Sequence, residues 1–251
     1  MTSRQTESLA PQHKVFARFA GAPEGRKVVL IHGAPGSLAE WEGVLEALSS
    51  DRSFQTASID RPGYGNSERR VPCDFDEQIE RIGAFCRDWA REDALILVGH
   101  SYGAPIAATI TQDLVSRGRP IAGLVLAAGV LSPKHSHSRW FHSVLGCGLL
   151  RPIFPNRWRA AQEMMAIDPI LPQLESFWST VNVPTCLIHG DADGVIPVAD
   201  SDFVFHKIPK PHCQFQRLER AGHALPRSHP QTIANALRWI DEHANVNKAS
   251  E

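Results

Sequence analysis

The sequence predicts an α/β fold: a mostly parallel, doubly wound sheet flanked by helices, with a small helical cap insertion at about residues 131–178. Three observations predict it. Short β-rich runs alternate with longer amphipathic ones, the order expected of parallel strands joined by crossover helices. Several of the short runs are apolar throughout, as strands covered on both faces must be. The alternation breaks once, between two strand candidates, where several Pro, Trp140, Trp158 and Trp178 accompany scattered large apolar residues over far more chain than a crossover needs.

The strand candidates are residues 28–32, 56–60, 94–99, 121–127, 185–189 and 213–218. An earlier run, 14–19, reads as an edge strand or one arm of a hairpin. Helical patterns lie between them. Residues 38–49 follow Ser37 and Glu40, and residues 75–91 follow Asp74 and Glu77, each pair spaced like a capping box or its Asp variant. Residues 104–116 and 231–243 complete the set, the latter entered through Pro230 at a first helical position. No internal repeat or low-complexity tract interrupts them, and 1–251 reads as a single domain.

At 251 residues the chain can bury about three quarters of the surface its unfolded form exposes, so one core needs neither disulfide nor structural metal. A net charge of −1 supplies no field to gather polyanions, and nucleic acid is not an expected partner. The longest apolar stretches, such as 94–98 and 124–128, fall far short of the roughly 20 residues of a membrane span. Residues 1–12 are polar with no apolar run behind Arg4, so no secretory signal or lipid anchor reads there, and a cytoplasmic protein is expected. Cys73, Cys86, Cys147, Cys186 and Cys213 are scattered without a CxxC pair and read as reduced thiols.

Gly99-His100-Ser101-Tyr102-Gly103 has the form G-x-S-x-G, directly after an apolar strand and directly before a helix. A strand turning sharply into a helix strains the central residue, and flanking glycines remove the Cβ atoms that would collide. The following helix N-terminus favours developing negative charge. A serine hydroxyl needs a base to remove its proton. Of twelve histidines, His223 fits best, because it lies between the last strand and the last helix, at the strand's carboxyl end. His32, His100 and His189 read as histidines that pack loops. His135, His137 and His142 form a cluster in the expected cap with no acidic or thiol partner nearby in sequence, which reads as solvated surface and not as a metal site. The acid that orients the base comes from the loop after 185–189, where Asp191 and Asp193 are both candidates from spacing alone.

From about residue 28 to 244 the chain resembles the α/β-hydrolase fold family. Four motifs carry the resemblance: His32-Gly33-Ala34-Pro35-Gly36, Asp60-Arg61-Pro62-Gly63-Tyr64-Gly65-Asn66-Ser67, the Ser101 turn, and the Asp193 and His223 loops in family order. The resemblance implies Ser101 as nucleophile, His223 as base and Asp193 as the orienting acid, leaving Asp191 as a loop carboxylate. It also implies an oxyanion hole from the backbone N–H groups of Ala34 and Tyr102, and a structural loop at 60–67 that buttresses the site. Family members that attack with Asp, the dehalogenases and epoxide hydrolases, are excluded by Ser101. The activity expected is acyl transfer to water through an acyl-enzyme, without metal or organic cofactor, on a small, largely apolar ester. Trp140, Phe141, Met164 and Met165 are the first candidates to line the substrate site, with Leu145, Leu149, Leu150, Phe177 and Trp178 beside them or in the cap's own small core. Hydrolysis of a carbon–carbon bond, thioester, lactone or amide, or perhydrolysis, would use the same triad. A small-molecule receptor with little turnover is the reading from another class. Nothing in the sequence sets the oligomeric state.

Overall fold

Apolar side chains alternate along the central strands, and each strand divides its residues between two cores. The computed structural model describes residues 6–10, 15–67, 74–134, 137, 140–210 and 212–248. The strands are β1 (Thr6–Ala10), β2 (Val15–Gly21), β3 (Arg26–Ile31), β4 (Phe54–Asp60), β5 (Leu95–His100), β6 (Ile121–Ala127), β7 (Thr185–Gly190) and β8 (Cys213–Leu218). They form one sheet in the order β1-β2-β4-β3-β5-β6-β7-β8, in which β2 runs antiparallel to both neighbours and every other pair is parallel. Val29, Ile31, Leu95, Leu97, Leu124 and Leu126 face one core, and Val28, Leu30, Ile96, Val98, Val125 and Ala127 face the other.

Helices cover both cores. α1 (Glu42–Ala47) and α9 (Pro230–Lys248) pack on one face, α9 through Ile233, Ala234, Leu237 and Ile240, which recur at helical spacing. α2 (Phe75–Ala90) and α3 (Gly103–Ser116) pack on the other, with Ile82, Phe85, Cys86, Ile110 and Leu114. α7 (Ala199–Lys207) adds Phe203 and Val204 to that side, and α8 (Leu225–Ser228) leads into α9. Between β6 and β7 the chain runs through α4 (Trp140–Leu145), α5 (Pro155–Ala166), α6 (Glu175–Thr180) and two 3-10 turns. Met164, Ile167, Leu171, Leu174, Phe177 and Trp178 root this segment in the α2–α3 core.

Of the two readings of 14–19, the hairpin holds: β2 pairs antiparallel with the preceding β1, which rises from a stretch whose polar composition gave no strand signal, and with β4 on its other side, so it is not the edge strand; Lys14 lies outside the described residues. Two expectations need correction. Residues 38–49 open as a 3-10 turn, Leu38–Trp41, in which the Glu40 N–H donates to the Ser37 carbonyl at 3.0 Å and not to its hydroxyl, and the Glu40 carboxylate that would complete the box turns inward toward Gly33 and His100. His137 is not solvated surface. It is 4% exposed, with Nε2 2.7 Å from Asp200 Oδ2 and Nδ1 3.4 Å from Asp168 Oδ1, carboxylates that only folding brings to it. His135 lies outside the described residues, as does the side chain of His142. Cys86 and Cys186 are buried, Cys147 is exposed, and Cys73 is outside the described residues.

Candidate active site

The parallel strands deliver their following loops to one edge of the sheet, where ligands of such folds collect. β5 ends at His100 and α3 begins at Gly103, so the chain reverses at Ser101, which adopts φ 52°. A side chain in that left-handed region is strained and is held there by its surroundings. The Ser101 N–H donates to Ala127 O at 3.0 Å, and its carbonyl accepts from Ala104 N–H at 3.1 Å. Both flanking glycines are obligatory: a Cβ on Gly99 would lie 2.3 Å from Gly103 O, and one on Gly103 would lie 2.3 Å from Ile31 O. The turn therefore fits only because strand, helix and neighbouring strand approach without side chains between them.

His223 follows β8. Its Nε2 is 3.0 Å from Ser101 Oγ and its Nδ1 is 2.7 Å from Asp193 Oδ2. Asp193 sits in the loop after β7, where Oδ1 accepts N–H groups of Val195 at 2.8 Å and Ile196 at 3.0 Å. Burial would raise its pKa, but hydrogen bonds from His189 and His223 prevail and hold the carboxyl well below the usual carboxylate range. Asp191 is occupied otherwise, its Oδ1 accepting from Arg220 N–H at 2.7 Å. With Asp193 ionised and bonded at Nδ1, the imidazole keeps a lone pair at Nε2 for the serine proton.

The loop after β3 closes the site from the other side. His32 is fully buried, its Nε2 accepting the Arg61 N–H at 3.0 Å and its Nδ1 lying 2.7 Å from Gly33 O. His100 reaches the His223 carbonyl through Nε2 at 2.9 Å and meets Glu40 through Nδ1. Burial opposes a charge on His100, but Glu40 outweighs it and raises the pKa. Asp60 spans two loops, accepting Leu38 N–H and Asn66 N–H, each at 2.8 Å.

Two cavities meet Ser101. One of about 330 Å³ is lined by Ala34, Pro35, Ser101, Leu145, Ala160 and Met164 among others; the second, about 350 Å³, by Gly33, Ala34, Ser101 and His223 among others. Met164 therefore faces the site. Met165, the next residue of α5, lines neither cavity, since successive helical residues point about 100° apart. Phe177 and Trp178 belong to the core, and Leu149 is exposed. The side chains of Trp140 and Phe141 lie outside the described residues. Ala34 is half-buried beside Ser101, and Tyr102 occupies the cap position of α3 with a buried ring.

One cluster escaped the sequence reading. Arg61 is fully buried and forms a fork with Glu163 of α5, Nη1 to Oε1 at 2.8 Å and Nη2 to Oε2 at 3.1 Å. Tyr64 Oη and Gln78 Nε2 also donate to Glu163, at 2.7 and 2.9 Å. The only signal was Arg61 within the 60–67 motif, because its acid partner stands 102 positions away. Among the described residues no group of His, Cys, Asp and Glu is arranged to hold a metal ion.

Residues 27–145 match the family model for the alpha/beta hydrolase fold. An AB hydrolase superfamily protein of Gibberella zeae is 33% identical over 91 residues, 36% of this chain and only 32% of that relative's length. A 2-hydroxy-6-oxo-6-(2'-aminophenyl)hexa-2,4-dienoic acid hydrolase of Metapseudomonas resinovorans is 24% identical over 94% of this chain and 91% of its own. Among solved structures, an esterase from Thermogutta terrifontis superposes with a TM-score of 0.73 at 16% identity, covering 96% of this chain and 99% of that one. Sheet order, superposition and the match over residues 27–145 together show that this chain has the α/β-hydrolase fold.

Proposed function

We propose that the protein is a serine hydrolase of small, largely apolar esters, in which Ser101 attacks the carbonyl carbon, His223 takes the serine proton and Asp193 orients His223. The single observation carrying this reading is the continuous Ser101–His223–Asp193 contact, 3.0 and 2.7 Å. His223 then returns the proton to the departing alcohol, and a water deprotonated by His223 releases the acid from the acyl-enzyme. The N–H groups of Ala34 and Tyr102 hold the oxyanion, without metal or cofactor. The segment from α4 to α6 is the cap of this site, and Leu145, Ala160 and Met164 give it an apolar wall. The reading is tested with short p-nitrophenyl esters: the wild type cleaves them and Ser101→Ala, still folded by circular dichroism, does not. Equal rates for the two proteins would overturn it.

A second reading is favoured by the Metapseudomonas resinovorans relative, whose similarity spans nearly the whole chain. The same triad would then hydrolyse a dienoic acid of the kind named for that protein. Including one such acid in the ester panel decides between the two by their kcat/KM.

A further inference from the structure

A fully buried guanidinium is costly, and pairing with Glu163 accounts for its neutralisation alone. Arg61 makes two bonds that neutralisation does not require: Nη1 donates to Gln78 Oε1 at 2.5 Å, and Nη2 donates to the carbonyl of Gly33 at 3.0 Å. That carbonyl shares its peptide plane with the N–H of Ala34. The Gly33–Ala34 peptide is trans, so its C=O and N–H point in opposite directions. Gly33 O has a second donor. His32 Nε2 accepts the Arg61 N–H, which places the imidazole proton on Nδ1, 2.7 Å from Gly33 O.

Two donors, one of them cationic, thus grip the carbonyl from behind. The Ala34 N–H is turned the other way, and Ala34 lines both Ser101 cavities. A cation on the carbonyl also draws electron density from the amide, which strengthens the N–H as a donor. The guanidinium lies 5.0 Å from the centre of the Tyr102 ring as well, so it touches both residues' neighbourhoods at once.

We propose that Arg61 is a positioning residue of the oxyanion hole, fixing and polarising the Gly33–Ala34 peptide so that the Ala34 N–H meets the negative charge that forms during attack by Ser101. This rests on Ser101 being the nucleophile. Arg61 exchanges no proton and touches no substrate. Glu163 plays a different part: it anchors α5, whose Ala160 and Met164 line the cavity, and its loss acts on substrate binding.

The two roles separate in kinetics. Arg61→Lys keeps a cation for Glu163 but loses the two-armed fork. Its kcat on a neutral p-nitrophenyl ester should fall about 10- to 100-fold, less than deletion of an oxyanion donor costs, with KM nearly constant. Affinity for a trifluoromethyl ketone, which adds Ser101 as an oxyanion, should fall by the same factor as kcat/KM. Glu163→Gln should raise KM and keep kcat within about threefold. Should Arg61→Lys fail to fold, the charge-neutral pair Arg61→Gln with Glu163→Gln should show the same kcat loss. Wild-type kcat in either folded Arg61 variant, or an equal kcat loss in Glu163→Gln alone, overturns the positioning role. A wild type with neither ester turnover nor ketone affinity instead overturns the nucleophile, and the oxyanion hole with it.

Discussion

Asp193 divides its partners between two oxygens: Oδ2 faces His223 Nδ1 at 2.7 Å and His189 Nε2 at 3.3 Å, while Oδ1 holds the Val195 and Ile196 amides. Asp193→Asn can keep the second role and reverses the first, because an amide N–H at that place forces the His223 proton onto Nε2. The ester kcat should then fall by about 10⁴, the cost of a wrong tautomer, and a fall under tenfold would contradict the assignment. Gly103→Ala tests the turn itself. Its methyl would sit 2.3 Å from Ile31 O, so the variant should lose ester activity with a lowered thermal midpoint. Spacing left Asp191 and Asp193 equal and only the family resemblance chose between them, but Ser101 was readable in the sequence from the glycines that bracket it after the apolar β5, and His223 from its place between the last strand and the last helix. Arg61 with Glu163 and His137 with Asp200 were not, since their partners lie 102 and 63 positions apart and only the sheet order unites them.

The helices differ in what holds them. α2 starts at Asp74, whose side chain accepts the Glu77 N–H at 2.7 Å, and Asp74→Ala should cost about 1 kcal/mol in urea unfolding. α5 carries little apolar patterning of its own and depends on the Glu163 fork. Glu163→Ala leaves the Arg61 charge buried and unpaired, a loss of about 3–5 kcal/mol by the same measurement; a change below 1 kcal/mol would show the ion pair is dispensable. These differences explain which elements could be foreseen. β5, β6 and β7 announce themselves as unbroken apolar runs because both faces are covered. β1 has no such run, and α7 mixes Asp200, Ser201 and Asp202 with Phe203 and Val204, so neither shows a clear period. Asp200 is buried there because it accepts the amides of Leu131 and Ser132, at 2.8 and 3.0 Å, a use invisible before folding.

Across the molecule, acid should weaken the fold through His32. Burial first, then the Arg61 cation, pushes its pKa from 6.5 down to about 3. The unfolded chain takes up this proton below about pH 6.5 and the folded chain refuses it until about pH 3, so stability falls as pH drops through that window. His100 works in the opposite sense: its raised pKa adds stability at low pH that is lost as pH rises through the folded value. The difference between wild type and His32→Gln isolates the first effect. The wild-type advantage should shrink by up to about 1.4 kcal/mol per pH unit below 6.5, and a constant difference would contradict a neutral buried His32. His32 is held by Gly33 and Arg61 on the loops after β3 and β4, while the proposed reacting groups stand on the loops after β5, β7 and β8, and the account stands or falls on one hydroxyl there, that of Ser101. Treating the protein with a fluorophosphonate and mapping the adduct by mass spectrometry addresses it without choosing a substrate. A single adduct on Ser101, absent in His223→Ala, is the predicted result; an unmodified Ser101, or equal labelling without His223, would contradict it.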